Sequence, residues 1–397
     1  MKNDKQLSGV LCNELWTPEV QMKNVFVKFD NERIERIIPW EDGKALPQNA
    51  IIADDKLVAV PGLIDIHVHG NGGGDFLDNT DEALYAISDT SARGGATSVI
   101  ATMSIAGDDT NFTKFEQIVK RLKNTVVNGS RFAGLHLEGP YINPERRGSF
   151  SDRYMRPLKA EELNKILDIC ADFLRKITIC PELDGAWDLV DLIVKRTNAE
   201  ISLGHSIASY EKAEELYQHP RVRQATHCFN AMVPLHHRAP GLLGASLLDR
   251  RVTTEMIPDG YHLSGPIIDM IYRLKGRDKA VIITDGNAAT GLHEGQIIEC
   301  LGGKACVKND AVYIAGTDTL AGSNLLMARG LYKAQILGHI PFQDALTMCT
   351  YNAAKAIHMD DVMGTIEPGK LADMALIKAD GTVATTIRDG KIVYSAE

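Results

Sequence analysis

Residues 61–70 read Pro61-Gly62-Leu63-Ile64-Asp65-Ile66-His67-Val68-His69-Gly70. An apolar run with a Pro-Gly turn before it and glycines after it reads as a buried strand. The run ends in His-x-His, and side chains two apart on a strand share a face. Two imidazoles therefore converge at the strand's C-terminal end, where barrel enzymes keep their sites. Imidazole is a common metal ligand at neutral pH; the plainer reading is two satisfied surface histidines.

Outward from this stretch the same rhythm repeats as far as His358. Buried-strand candidates are Leu63–His67, Ser98–Thr102, Phe132–Leu137, Lys176–Ile179, Glu200–Leu203, Gln224–His227, Val252–Ile257 and Ala280–Thr284. Amphipathic segments lie between them at Asp81–Gly94, Asn111–Asn128, Ala160–Ala171, Ala186–Thr197, Ser209–His219 and Pro266–Lys275. Eight strands alternating with helices predict an α/β fold, a closed (β/α)8 TIM-like barrel over residues 61–358. The flanks differ. Val25–Phe29, Arg33–Ile38 and Lys56–Val60 read as strands, with turns at Asp30-Asn31 and Glu41-Asp42-Gly43. Lys370–Ile377, Thr382–Arg388 and Lys391–Tyr394 do the same at the other end. Residues 1–60 and 359–397 are expected to meet in one small β-sandwich domain.

The chain has 397 residues, 44% hydrophobic and 24% charged, the composition of a globular protein that can bury a large core. Its 43 Lys and Arg stand against 52 Asp and Glu, a net charge of −9 that argues against a general nucleic-acid binder. A small anionic ligand needs only one or two arginines. No apolar run approaches a membrane span, and no apolar segment follows the opening lysines, so a cytoplasmic protein is expected. The seven cysteines form no CxxC pair, as expected of reduced thiols.

Four further strand candidates end in a polar, metal-capable residue. Glu138 follows Leu135-His136-Leu137, where a carboxylate is either a turn former or a hard ligand. His136 reads equally as a core histidine or as support for a ligand. Leu203-Gly204-His205-Ser206, Thr226-His227-Cys228-Phe229 and Thr284-Asp285-Gly286 repeat the pattern. Five strand ends of one design point to a shared centre of His67, His69, Glu138, His205, His227 and Asp285. These nitrogen and oxygen ligands suit one or two divalent metals, with zinc first and iron or manganese also compatible. A metal with an open position acidifies bound water and polarises a carbonyl. Asp285 is the natural general base and acid. The reaction class is metal-assisted hydrolysis of a carbonyl compound. No dinucleotide fingerprint, phosphate-binding loop or nucleophile elbow competes with it.

At these motifs the chain resembles the amidohydrolase superfamily, and within it the N-acetylglucosamine-6-phosphate deacetylase family. The strand Pro61–Gly70 and the tail Gly364–Asp373 are shared across the superfamily. The stretches His136–Pro140, Leu203–Ser206, Thr226–Met232 and Leu320–Ser323 are more specific. The resemblance implies deacetylation of an N-acetylhexosamine 6-phosphate, with metal-bound hydroxide attacking the acetamide. It implies Glu138, His205 and His227 around the tighter metal, His67 and His69 on a second, and Glu138 in place of the carbamylated lysine of most relatives. It makes Asp285 the catalytic acid and base. It puts the sugar phosphate near Asn230 and Ala231, completed by Arg238 from the neighbouring subunit of a homodimer. His262 would meet sugar hydroxyls, Ser149 would contact the sugar, and Leu320, Ala321 and Gly322 would line the acetyl pocket.

One position departs from the family pattern. Arg146-Arg147-Gly148-Ser149-Phe150 carries Phe150 where the family has His or Gln. An aromatic ring there either stacks on a pyranose face or excludes a hydroxyl, so the galactosamine epimer stands beside N-acetylglucosamine 6-phosphate as substrate. The rival readings are an amidohydrolase of a different N-acyl amide and a barrel that has become a non-catalytic scaffold.

Overall fold

A computed structural model describes residues 5–41, 43–157, 159–300 and 303–396. Asp42 of the expected turn at residues 41–43 and the opening residues 1–4 lie outside this set.

The barrel strands, labelled here β1 to β8, are Leu63–Val68, Ala96–Met103, Arg131–Glu138, Leu174–Ile179, Glu200–Leu203, Val222–Ala225, Thr253–Met256 and Ala280–Ile282. Each pairs in parallel with the next, in chain order. The last strand returns to the first just past its end: Asp285 N donates to His67 O at 2.9 Å, and His69 N donates to Gly286 O at 2.7 Å. Strands of such a sheet are covered on both faces, and all eight residues of β2 are buried. Two strands stop two residues short of the sequence reading. β6 ends at Ala225, not His227, and β8 at Ile282, not Thr284, because the chain leaves extended conformation before the polar residue.

The covering helices follow from period and caps. Asp81–Arg93 starts at Thr80, whose hydroxyl accepts from Ala83 N at 3.2 Å, with Asp81 and Glu82 in the first turn and Arg93 in the last. Thr113–Asn124 buries Phe115, Ile118, Val119 and Leu122, one face at helical spacing. Burying four such side chains stabilises the structure by about 6–12 kcal/mol before entropy. Helices Ala160–Cys170, Ala186–Arg196, Tyr210–Tyr217, Gly241–Leu248 and Gly265–Lys275 continue the ring. Met327–Gly338, Phe342–Cys349 and Tyr351–Ala356 complete it after β8.

The chain ends build a second sheet. Strands Lys391–Ser395, Val383–Arg388, Met374–Ile377, Val58–Pro61, Gly9–Trp16, Gln21–Asp30 and Arg33–Pro39 lie side by side, with Ala50–Ala53 also on Gly9–Trp16. The junction of the two ends is the antiparallel pair Met374–Ile377 on Val58–Pro61. The sheet has its own apolar cluster, including Val10, Cys12, Leu15, Val27, Met374 and Leu376. A third sheet was not expected from sequence. Ile297–Cys300, Gly303–Lys308, Ala311–Ile314 and Leu320–Ser323 form an antiparallel insert between β8 and the helices that follow. Among the described residues no helix is long and apolar enough to cross a membrane.

Candidate metal centre and substrate pocket

The mouth of the barrel collects the polar strand ends. His67 lies within β1 and His69 just beyond it, and Glu138 is the last residue of β3. His205, His227 and Asp285 sit two or three residues past β5, β6 and β8, with φ of 49°, 26° and 49°. Such backbone is uncommon outside glycine and costs about 1–3 kcal/mol per residue, so it persists only where the surroundings over-determine it.

Glu138 is the hub. Its Oε1 lies 2.9 Å from His227 Nε2, 3.1 Å from His205 Nε2 and 3.3 Å from His67 Nε2, while Oε2 lies 2.9 Å from His69 Nε2. Two sets of three therefore have ligand atoms within 4.8 Å of one another: His67, His69 and Glu138, and Glu138, His205 and His227. Either set could hold a divalent cation, with Glu138 common to both. The donor atoms fit that use. His205 Nδ1 bonds the Arg146 carbonyl at 2.6 Å, which turns Nε2 toward Glu138. His67 Nε2 is buried without a hydrogen-bond partner.

Asp285 closes the cluster, with Oδ1 3.4 Å from His67 Nε2 and 3.5 Å from His69 Nε2. Burial pushes its carboxyl up, but the His67 charge and the His69 hydrogen bond outweigh this and hold it well below the ordinary carboxylate range. Glu138 is lowered likewise, burial again being opposed by His67 and by hydrogen bonds from His205 and His227. Burial lowers His69, but hydrogen bonds to Asp285 and Glu138 prevail and raise it to about 9. Asp285 is thus held ionised at the pocket floor.

One cavity opens above these groups. His69, Glu138, His205, His227 and Asp285 form part of its lining, together with Ser149, Asn230, Ala231, His262, Leu320, Ala321 and Gly322. The residues expected around a sugar phosphate therefore share one pocket, except Arg238. That side chain is exposed on the loop after β6, hydrogen-bonded to His237 at 2.6 Å, and does not line the cavity of its own chain. His67 sits behind the lining, fully buried.

The lining also contains Gly148, Phe150, Asn287 and Cys300. Phe150 is 5% exposed and packs edge-on against His69 and His205, with centroids 5.8 and 5.7 Å apart. Asn287 was not singled out from sequence; its Nδ2 donates to Ala321 O at 2.7 Å and ties the insert to the turn carrying Asp285. His262 receives support of the same kind, its Nδ1 lying 2.7 Å from Asp259 Oδ2. His136, open between core and support, bonds Thr102 at 3.2 Å and Thr178 at 2.8 Å inside the barrel, away from the lining.

Fold and site together define a class: hydrolases that work at the mouth of a (β/α)8 barrel with the help of a divalent metal. The Amidohydrolase family model matches residues 58–393, and the chain belongs to that family. It is 33% identical to the N-acetylglucosamine-6-phosphate deacetylase of Vibrio furnissii, over 85% of this chain and 83% of that one. It is 29% identical to the N-acetylgalactosamine-6-phosphate deacetylase of Escherichia coli O157:H7, over 84% of this chain and 86% of the relative. Among solved structures it resembles the N-acetyl-D-glucosamine-6-phosphate deacetylase of Mycobacterium smegmatis in complex with N-acetyl-D-glucosamine-6-phosphate. The TM-score is 0.88 at 26% identity, over 98% of this chain and 100% of the other.

Proposed function

We propose that the chain is a deacetylase of N-acetylhexosamine 6-phosphates, converting N-acetyl-D-glucosamine 6-phosphate to D-glucosamine 6-phosphate and acetate. The observation that carries this reading is the convergence, in one pocket, of His69, Glu138, His205, His227 and Asp285 with the small residues Ala321 and Gly322. In this reading Glu138, His205 and His227 hold one divalent cation, and His67 and His69 hold a second with Glu138. Zinc suits these ligands best. When bound, such a cation acidifies water and polarises the acetamide carbonyl. Asp285 takes the proton of the attacking water and passes it to the departing amine nitrogen. Leu320, Ala321 and Gly322 leave room for the acetyl methyl, while His262 and the Ser149 backbone meet the sugar. Asn230 and Ala231 face the phosphate. Arg238, exposed and free of a carboxylate partner among its described contacts, completes the phosphate site of a second copy in a homodimer. A phosphorylated sugar is retained inside cells, which goes with a cytoplasmic enzyme.

Phe150 sets a second substrate of the same class beside the first. Its ring occupies the pocket beside His69 and His205, so the galactosamine epimer is the alternative. Primary-amine release from the two N-acetylhexosamine 6-phosphates, with and without a chelator, tests both readings. Chelator-sensitive turnover is expected, and the ratio of rates reports the selectivity. Turnover of neither by metal-loaded protein would move the function to another N-acyl amide. Sedimentation of active enzyme tests the dimer, and a fully active monomer would remove the role of Arg238.

A further inference from the structure

Beneath the pocket, the barrel interior contains a charged pair that the chemistry above does not use. Lys176 on β4 and Glu255 on β7 are 0% and 1% exposed. Lys176 Nζ donates to Glu255 Oε1. The other carboxylate oxygen, Oε2, accepts from His67 Nδ1 at 3.0 Å and from the backbone N–H of His227 at 3.1 Å. One side chain thus touches a residue of each candidate ligand set.

The two contacts differ in kind. At His227 Glu255 meets only the backbone, and His227 Nδ1 is buried without a hydrogen-bond partner. At His67 it meets the ring. A neutral imidazole has one N–H, so a carboxylate accepting at Nδ1 leaves the lone pair on Nε2. That Nε2 faces Glu138 and Asp285 at 3.3 and 3.4 Å. Support of a ligating histidine through its second nitrogen fixes the tautomer and the ring orientation. The pair also calls for a reason to exist. A buried ion pair can often be replaced by apolar residues of similar volume at little cost in stability. Here it carries an oriented acceptor to one nitrogen that packing alone would not supply.

We propose that Glu255, anchored by Lys176, is a positioning residue for His67 and controls whether the set His67, His69 and Glu138 holds its cation. The set Glu138, His205 and His227 does not depend on it in this way, since His205 Nδ1 has its own acceptor in Arg146 O. The inference rests on the reading above that both sets take a metal.

The test is cobalt(II) uptake by chelator-stripped protein, followed by metal content after dialysis and by the d–d absorption of bound cobalt. Wild type takes up two equivalents. Lys176→Met/Glu255→Leu removes the acceptor without stranding a charge. It is expected to bind the first equivalent unchanged and the second about 10–100-fold more weakly. Lys176→Met/Glu255→Gln keeps an oxygen opposite His67 Nδ1 and is expected to restore the second equivalent. Two equivalents held normally by the leucine variant, or both weakened alike, would overturn the proposal. Wild type taking only one equivalent would instead overturn the two-metal reading beneath it. Should the leucine variant not fold, histidine nitrogen spectra of zinc-loaded wild type, in which a ligating ring is neutral, decide the matter, with His67 assigned by its loss in His67→Asn. An Nδ1–H tautomer at His67 is expected, and an Nε2–H tautomer refutes the role of Glu255.

Discussion

Asp285 has its backbone pinned on two sides, N–H to His67 O at 2.9 Å and carbonyl to Ser323 N at 3.1 Å. Its side chain is therefore aimed by the main chain, and an amide can replace the carboxylate without moving the turn. Asp285→Asn should fold and take up metal as wild type while kcat falls about 100-fold to 10,000-fold. Amine release beside metal content checks this. His262 invites a second experiment. Burial lowers its pKa, but the Asp259 hydrogen bond and charge prevail and raise it above the ordinary 6.5. A raised histidine contributes stability that is complete below its unfolded pKa and is lost as pH rises through the folded value. Asp259→Asn should lower the His262 titration, read by histidine NMR, and remove that contribution from melts near neutral pH. The strand-end histidines and carboxylates could be read from sequence because each ends an apolar run. Glu255 could not, since a single charge inside Thr253–Met256 gains meaning only from Lys176 and His67, residues far away in sequence.

Among elements, the four-stranded insert was the least legible. Its strands are short, and Ile297–Cys300 is partly exposed throughout, so neither burial nor alternation marks it. Gly9–Trp16 and Ala50–Ala53 were also missed, although the β character of both chain ends was plain. Six helices were read to within about four residues because their apolar spacing is helical, whereas Gly241–Leu248, Met327–Gly338, Phe342–Cys349 and Tyr351–Ala356 were not singled out. The insert matters because Leu320–Ser323 forms a pocket wall and also braces Asp285. Gly322 has φ of 138°, and a Cβ there would lie 2.7 Å from Asp285 O. Gly322→Ala must displace either the strand or the turn that carries Asp285. Backbone strain of this kind costs about 1–3 kcal/mol. A lower melting temperature and a reduced kcat are expected together; an unchanged kcat would show that the strand alone gives way.

Across the whole molecule, the end sheet is locked to the barrel by Arg131 at the start of β3. Its guanidinium bonds Asp373, with Nη2 to Oδ1 at 2.9 Å, and reaches Asp389 Oδ1 at 2.6 Å. Both partners flank the C-terminal strands, Asp373 just before Met374–Ile377 and Asp389 in the turn after Val383–Arg388, and Asp373 belongs to the tail recognisable in sequence; its arginine partner was not. Burial raises the Asp373 carboxyl, but the Arg131 charge and hydrogen bond hold it below its ordinary value. Arg131→Met leaves a buried carboxylate without its cation and should cost about 3 kcal/mol. Denaturant unfolding measures the loss, and a variant as stable as wild type would show that the sheet is held by apolar packing alone.

The barrel shuts where Asp285 N–H reaches His67 O and His69 N–H reaches Gly286 O. The residues of this latch are also those of the proposed reaction site, so on that reading turnover reports whether the ring is sealed. A chain with every helix formed and the latch open would be native by circular dichroism and inert in the assay. During refolding, activity should return later than helical signal, with the lag timing the last stitch of the ring.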